Sequence, residues 1–134
     1  TISMYKNMTG EQFSMIAGQL FDYYMTDDIN VKLRRMLTIE QYRSDDVARL
    51  FRKISFDDSL AFQAELFSAL MAAGCFVKAD PHAMALEFFA PIFLIFYKFG
   101  NDPESFREAK ALFLCHIDNF NRVYGAKQTE EGER

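Results

Sequence analysis

Tryptophan is absent from this chain, and histidine, cysteine and proline are scarce: two, two and three residues among 134. Each shortage excludes something. Cys75 and Cys115 fall in no CxxC or zinc-type spacing, so neither a disulfide framework nor a structural zinc site is indicated, and a reduced, cytoplasmic setting is the simplest expectation. His82 and His116 occur in no HExxH or Glu-x-x-His pattern, the signatures of zinc peptidases and di-iron bundles. Cys115 and His116, neighbours on a helix, point about 100° apart and make a poor joint metal site. GxGxxG and GxxxxGK phosphate loops are missing, as is a GxSxG elbow. No catalytic residue, metal or cofactor is therefore assigned, and an enzyme is not expected. Basic charge is also short: the net charge is −4. Lys32, Arg34 and Arg35, then Arg49, Arg52 and Lys53, lie among acids and apolar residues at helical spacing, as solvated helix faces do, and form no nucleic-acid footprint. The longest apolar run, Phe88 to Tyr97, is about half the length of a bilayer span. Glu87 and Lys98 flank it, so it reads as a buried helix and no membrane partner is expected. Nothing reads as a signal peptide.

What the chain does have is grease and helix punctuation. Half of it is hydrophobic and 16% aromatic, nearly all of that from 15 Phe, with 7 Met as adaptable packing. Thr9-Gly10-Glu11-Gln12 spells a capping box, with Met8 and Phe13 placed as a hydrophobic staple. Phe13, Ile16, Ala17, Leu20, Phe21 and Tyr24 then form one helical stripe. A second helix is predicted from about Ile29, carrying Leu33, Met36 and Leu37. Ser44-Asp45-Asp46 caps or bends the chain before Val47, Leu50, Phe51 and Ile54. Ser55-Phe56-Asp57-Asp58 is expected to open another helix, ended by Gly74. The acid pairs at 27–28, 45–46 and 57–58 read as caps. Asp80-Pro81 and Asp102-Pro103 start the last two helices, and Pro91 should bend the first of them and free one carbonyl. Strand-like alternation, internal repeats and low-complexity segments are missing. The expected fold is all-α, a bundle of about five to six helices forming one domain over residues 1–125. Residues 126–134 are expected to be a disordered tail.

The helix from Pro81 to Phe99 is apolar on nearly every side, more than one core can cover. The final helix has two stripes: Phe106, Ala109, Phe113, Ile117, Phe120 and Tyr124 on one, Leu112, Cys115 or His116, Asn119 and Val123 on the other. Two such helices from each of two copies would bury the surplus as a dimeric four-helix bundle; full enclosure inside a monomer is the alternative. The candidate dimer interface is Phe89, Ile92, Phe93, Phe96, Leu112, His116, Asn119, Phe120 and Val123, and on this reading Phe93→Asp dissociates the dimer. A hydrogen-bonded interface or core position is expected for His116. The upstream grease is either plain core or a small-molecule pocket with sparse polar tips such as Tyr23, Tyr24, Tyr42, Gln63 and Asn119. Candidate pocket walls are Met15, Tyr23, Met36, Phe62, Leu66, Met71 and Phe88.

The order of these features resembles the C-terminal sensor and dimerisation domain of TetR-family transcription repressors, over roughly Ile29 to Gly125. The carriers are Leu33-Arg34-Arg35-Met36-Leu37-Thr38-Ile39-Glu40-Gln41-Tyr42-Arg43, then Phe62 to Phe67 with Met71 to Gly74. Strongest is Ala79-Asp80-Pro81 through Glu87-Phe88-Phe89-Ala90-Pro91-Ile92-Phe93-Leu94, followed by Leu112 to Phe120 with its His before the final Phe. The resemblance implies a homodimer through the last two helices and a pocket upstream for a small hydrophobic effector. It also implies release of operator DNA by the full-length protein when the effector binds. The family's N-terminal helix-turn-helix is not present before Thr9, and the chain starts at Thr1 without Met, so it is expected to be the sensor part of a longer regulator that touches DNA only through that missing head. A helical protein–protein interaction module without a small-molecule ligand is the alternative.

Overall fold

The computed structural model describes residues 8–100 and 102–126. They form six α-helices: α1 (Gly10–Thr26), α2 (Asp28–Glu40), α3 (Asp45–Arg52), α4 (Asp58–Ala72), α5 (Pro81–Phe99) and α6 (Phe106–Tyr124), with a π-helical turn over Lys53–Asp57. The all-α bundle expected from the punctuation is the observed class. Most helix starts follow the caps read from the sequence. Thr9 and Gln12 exchange both bonds of the capping box, Asp27 accepts from the Asn30 amide, Ser44 from that of Val47, and Asp80 from those of His82 and Ala83. Each satisfies a donor that the first helical turn cannot pair internally. Gly74 ends α4 at φ +82°, a left-handed conformation that favours glycine.

The 55–58 segment departs from expectation. It opens no new helix. The chain runs from α3 through the π-helical turn into α4, and Asp57 makes no capping bond; Asp58 instead pairs with Lys53. A π turn inserts one extra residue per turn, so it re-aims the side chains on either side without a break. The predicted tail boundary also shifts. Ala126 donates to the Cys75 carbonyl, and Val77 donates to Tyr124, around an isolated antiparallel bridge between Phe76 and Gly125. The remainder of that tail, 127–134, lies outside the described residues.

The core is a block of phenylalanines between α1, α4, α5 and α6. Phe67 is fully enclosed and its ring meets Phe13, Phe76, Phe88 and Phe120 at centroid distances of 5.4–6.4 Å. Phe21 stacks on Phe113 at 4.4 Å and lies beside Phe96 and Phe106. On α1, Gly18 faces α6, where a Cβ would fit in ordinary contact 3.7 Å from Leu114; Lys110–Asp22 and Asn121–Ser14 bond the same seam. Pro81–Phe99 is long and apolar enough to cross a membrane by length and composition, yet Met84, Ala85, Phe88, Ile92, Ile95 and Phe96 are packed into this core.

α2 and α3 are attached differently. The extensive contacts of α2 are with α1 and α3, whereas α4, α5, α6 and α1 hold one another along their lengths. Phe67→Ala is therefore expected to cost about 3–5 kcal/mol of stability, and Phe62→Ala, at a ring 45% exposed, less than about 1 kcal/mol. Urea unfolding midpoints measure both, and equal losses would contradict this placement of the core.

Candidate functional site: a cavity under α2 and a bare face on α5 and α6

α2 packs mainly on α1 and α3, and a gap of about 540 Å³ is left between it and α5. That lies within the ~300–1,000 Å³ range of small-molecule sites. Its floor is the inner side of α5: Phe88, Phe89, Ile92, Phe93 and Phe96. The walls come from Ala17, Leu20, Phe21 and Tyr24 of α1, from Ile54 and Ser55 of the π turn, from Ser59, Phe62 and Gln63 of α4, and from Phe113. α2 contributes Asn30, Leu33, Arg34 and Leu37 as the roof. The π turn shapes the wall by sending Ile54 and Ser55 to the cavity while Phe56 packs on Phe51 and Phe93.

Few polar groups face this space. Among the described residues, Arg34 is the only charged one in its lining. The guanidinium donates to the Tyr24 carbonyl at 3.1 Å and lies 4.2 Å from the centroid of the Phe96 ring. Burial pulls its pKa below the ordinary value; nearby Tyr97 opposes that shift and Arg35 adds to it. None of the ion pairs among the described residues includes it. Gln63 carries an Oε1 that is buried without a hydrogen-bond partner among the described residues. A second, smaller cleft of about 310 Å³ lies between Met8–Gly10, Phe76 and Asn121.

Of the pocket walls expected from sequence, Phe62 and Phe88 line the cavity. Met15, Tyr23 and Met36 do not: all three are exposed, at stripe positions that turn away from it. Leu66 is buried in the core and Met71 packs against that core from its edge, so neither reaches the cavity. Tyr24 and Gln63 line it, while Tyr23, Tyr42 and Asn119 are exposed. The wall residues contributed by α2 and by Ile54–Ser59 were missed. Helical periodicity ranks residues by their fit to one core, and a lining residue is one that falls between core and surface.

The expected interface divides as well. Phe89, Ile92, Phe93 and Phe96 are on the cavity side of α5, and Phe120 is buried in the core; these five do not face outward, and Phe93→Asp would damage the cavity. The outward residues of α5 are Leu86, Ala90, Leu94 and Tyr97, of which Leu94 is 65% exposed. Leu112, Asn119 and Val123 of α6 are exposed, and His116 is half-buried. Their spacing of three to four residues sets them along one side of α6. They adjoin α5, since the His116 ring reaches the Phe88 carbonyl across that seam. Each helix thus carries exposed apolar residues, Leu86, Ala90 and Leu94 on α5 and Leu112 and Val123 on α6.

His116 has a structural role. Its Nε2–H donates to the Phe88 carbonyl at 3.0 Å, one residue beyond Glu87, whose own carbonyl loses its helical donor to Pro91. The ring also meets Phe88, Phe113 and Phe120 at about 6 Å. His82 is exposed in the first turn of α5. Among the described residues, no group of three or more His, Cys, Asp or Glu could hold a metal ion.

Comparison with protein families, with curated proteins and with solved structures finds no match.

Burial lowers the His116 pKa from its ordinary 6.5, and the bond to Phe88 only partly offsets this. The folded state therefore resists taking up the proton. As pH falls below 6.5 the unfolded chain gains it first, so this contribution to stability is complete above that value and lost below it. Between about pH 7.5 and about pH 5.5 the melting temperature of the wild type is expected to fall more than that of His116→Gln. Parallel falls in the two proteins would remove His116 as the cause.

Proposed function

We propose that this chain is the effector-sensing and dimerisation domain of a TetR-like transcriptional repressor acting in the cytoplasm. One observation supports this most: α5 is shared between two surfaces. Phe89, Ile92, Phe93 and Phe96 floor the cavity, while Leu86, Ala90 and Leu94 lie exposed on another side of the same helix. A ligand that repositions α5 from within must also act on whatever covers it from outside. Such a coupling requires only that the ligand bind the two arrangements with different affinity.

A second copy of this chain is the occupant we assign to the outer face. The two charges on that arc of α5, Glu87 and Lys98, are opposite in sign and eleven positions apart, which suits an antiparallel pairing about a twofold axis. Two 19-residue helices side by side offer a face about 28 Å long and about 20 Å wide. That is of the order of the ~800 Å² per partner seen in stable interfaces. Operator binding belongs, on this reading, to a helix-turn-helix encoded upstream of Thr1.

Sedimentation velocity tests the dimer. The wild type is expected to be dimeric at micromolar concentration, and Leu94→Asp monomeric with its helical circular dichroism unchanged. A monomeric wild type, or a Leu94→Asp protein that still dimerises, would overturn this assignment of the outer face. Sequencing the gene upstream of Thr1 tests the repressor. Without a helix-turn-helix there, the bare face belongs to a helical interaction module instead.

A further inference from the structure

Arg34 is a cation in an acidic chain, placed in a cavity whose lining holds no Asp or Glu. The guanidinium is half-buried, so part of its hydration is lost, and no carboxylate among the described residues replaces it. Among the described residues its partners are a neutral carbonyl, that of Tyr24, and the face of the Phe96 ring. The guanidinium has five N–H donors, and one hydrogen bond is recorded for them. Its planar fork matches two carboxylate oxygens at once. Away from Arg34 the floor is the apolar run of Phe89, Ile92 and Phe93. The site is thus asymmetric: one cationic end with donors to spare, and a long aromatic and aliphatic body.

We propose that the cavity binds an amphipathic monocarboxylate, its carboxylate accepting from the Arg34 guanidinium and its apolar body lying along Phe89, Ile92 and Phe93. This rests on the reading of the cavity as an effector site and adds the chemical class of the effector. The aromatic floor and the volume admit either a medium-length alkyl chain or a fused aromatic body, and the shared feature is one anionic head on an uncharged tail. Gln63, whose Oε1 is without a partner, offers a polar point on the wall for ligands that also carry a donor. The carboxylate would also gather α1, α2 and α5 around one ion, because Arg34 already touches Tyr24 and Phe96.

Isothermal titration calorimetry of the whole chain with four probes tests this: decanoate and 2-naphthoate, each against its uncharged counterpart, decan-1-ol and 2-naphthalenemethanol. At least one acid is expected to bind about tenfold or more tighter than its alcohol. Arg34→Gln should erase that preference while leaving alcohol affinity within about threefold of wild type, and Arg34→Lys, which keeps the charge but not the fork, should retain part of it. Comparing decanoate with 2-naphthoate distinguishes the two bodies. Alcohols that bind as tightly as the acids, or an acid preference that survives Arg34→Gln, would overturn the carboxylate while leaving the effector site in place. No binding by any of the four would overturn both. Should Arg34→Gln fail to fold by circular dichroism, the wild-type acid–alcohol pairs and Arg34→Lys decide the matter.

Discussion

Coverage of α5 is the constraint on which the rest of the structure depends. Nineteen residues of almost uninterrupted apolar surface have to be hidden, and helices around a small core can hide only part of a central helix. α4 and α6 take two sides through Phe67, Phe113, Ile117 and Phe120. The remaining circumference is left to two incomplete solutions. One side lies under a roof that meets it only near Phe96 and Tyr97, which leaves a cavity. The other lies bare beside α6, which makes a face. Site and interface are consequences of the same excess.

Local chemistry made much of this readable from residues alone. Caps at Thr9, Asp27, Ser44 and Asp80 are short-range devices, each decided by a side chain and an amide two or three positions on, and they stand where the sequence placed them. The inner stripe of α6, Ala109 to Phe120, is equally plain because it faces a single core. Legibility failed where the outcome depended on distant packing. Nothing near Ser55 announces a π turn, since its acids and serine look like a helix start. On α5 the pattern could say that there was too much apolar surface. It could not say which phenylalanines would turn inward, because Phe93 and Leu94 are equally greasy and differ only by the rotation of the helix. The cavity was hardest to read, being defined by how sparsely α2 packs on α5.

The cavity and the core differ in kind although both are lined by phenylalanine. Rings in the core satisfy one another, as Phe13, Phe67, Phe76, Phe88 and Phe120 do, and there is nothing left for a guest to improve. In the cavity the rings of Phe89 and Phe93 meet each other and Phe88, Phe56 and Phe96 and still border open space, with a cation at the margin. Energy still to be gained is concentrated there, which is the physical meaning of a binding site as opposed to a packing defect.

The thin attachment of α2 has a further consequence. Apart from its packing on α1 and α3, the links across the gap among the described residues include the Arg34 guanidinium on the Phe96 ring and a 3.5 Å approach of the Thr38 hydroxyl to that of Tyr97. A layer with so few contacts belongs to the low-stability end of a fold, where local opening costs least. Entry to the cavity then needs no preformed channel. The roof is also the door, and one of its latches is the residue placed to recognise what comes in.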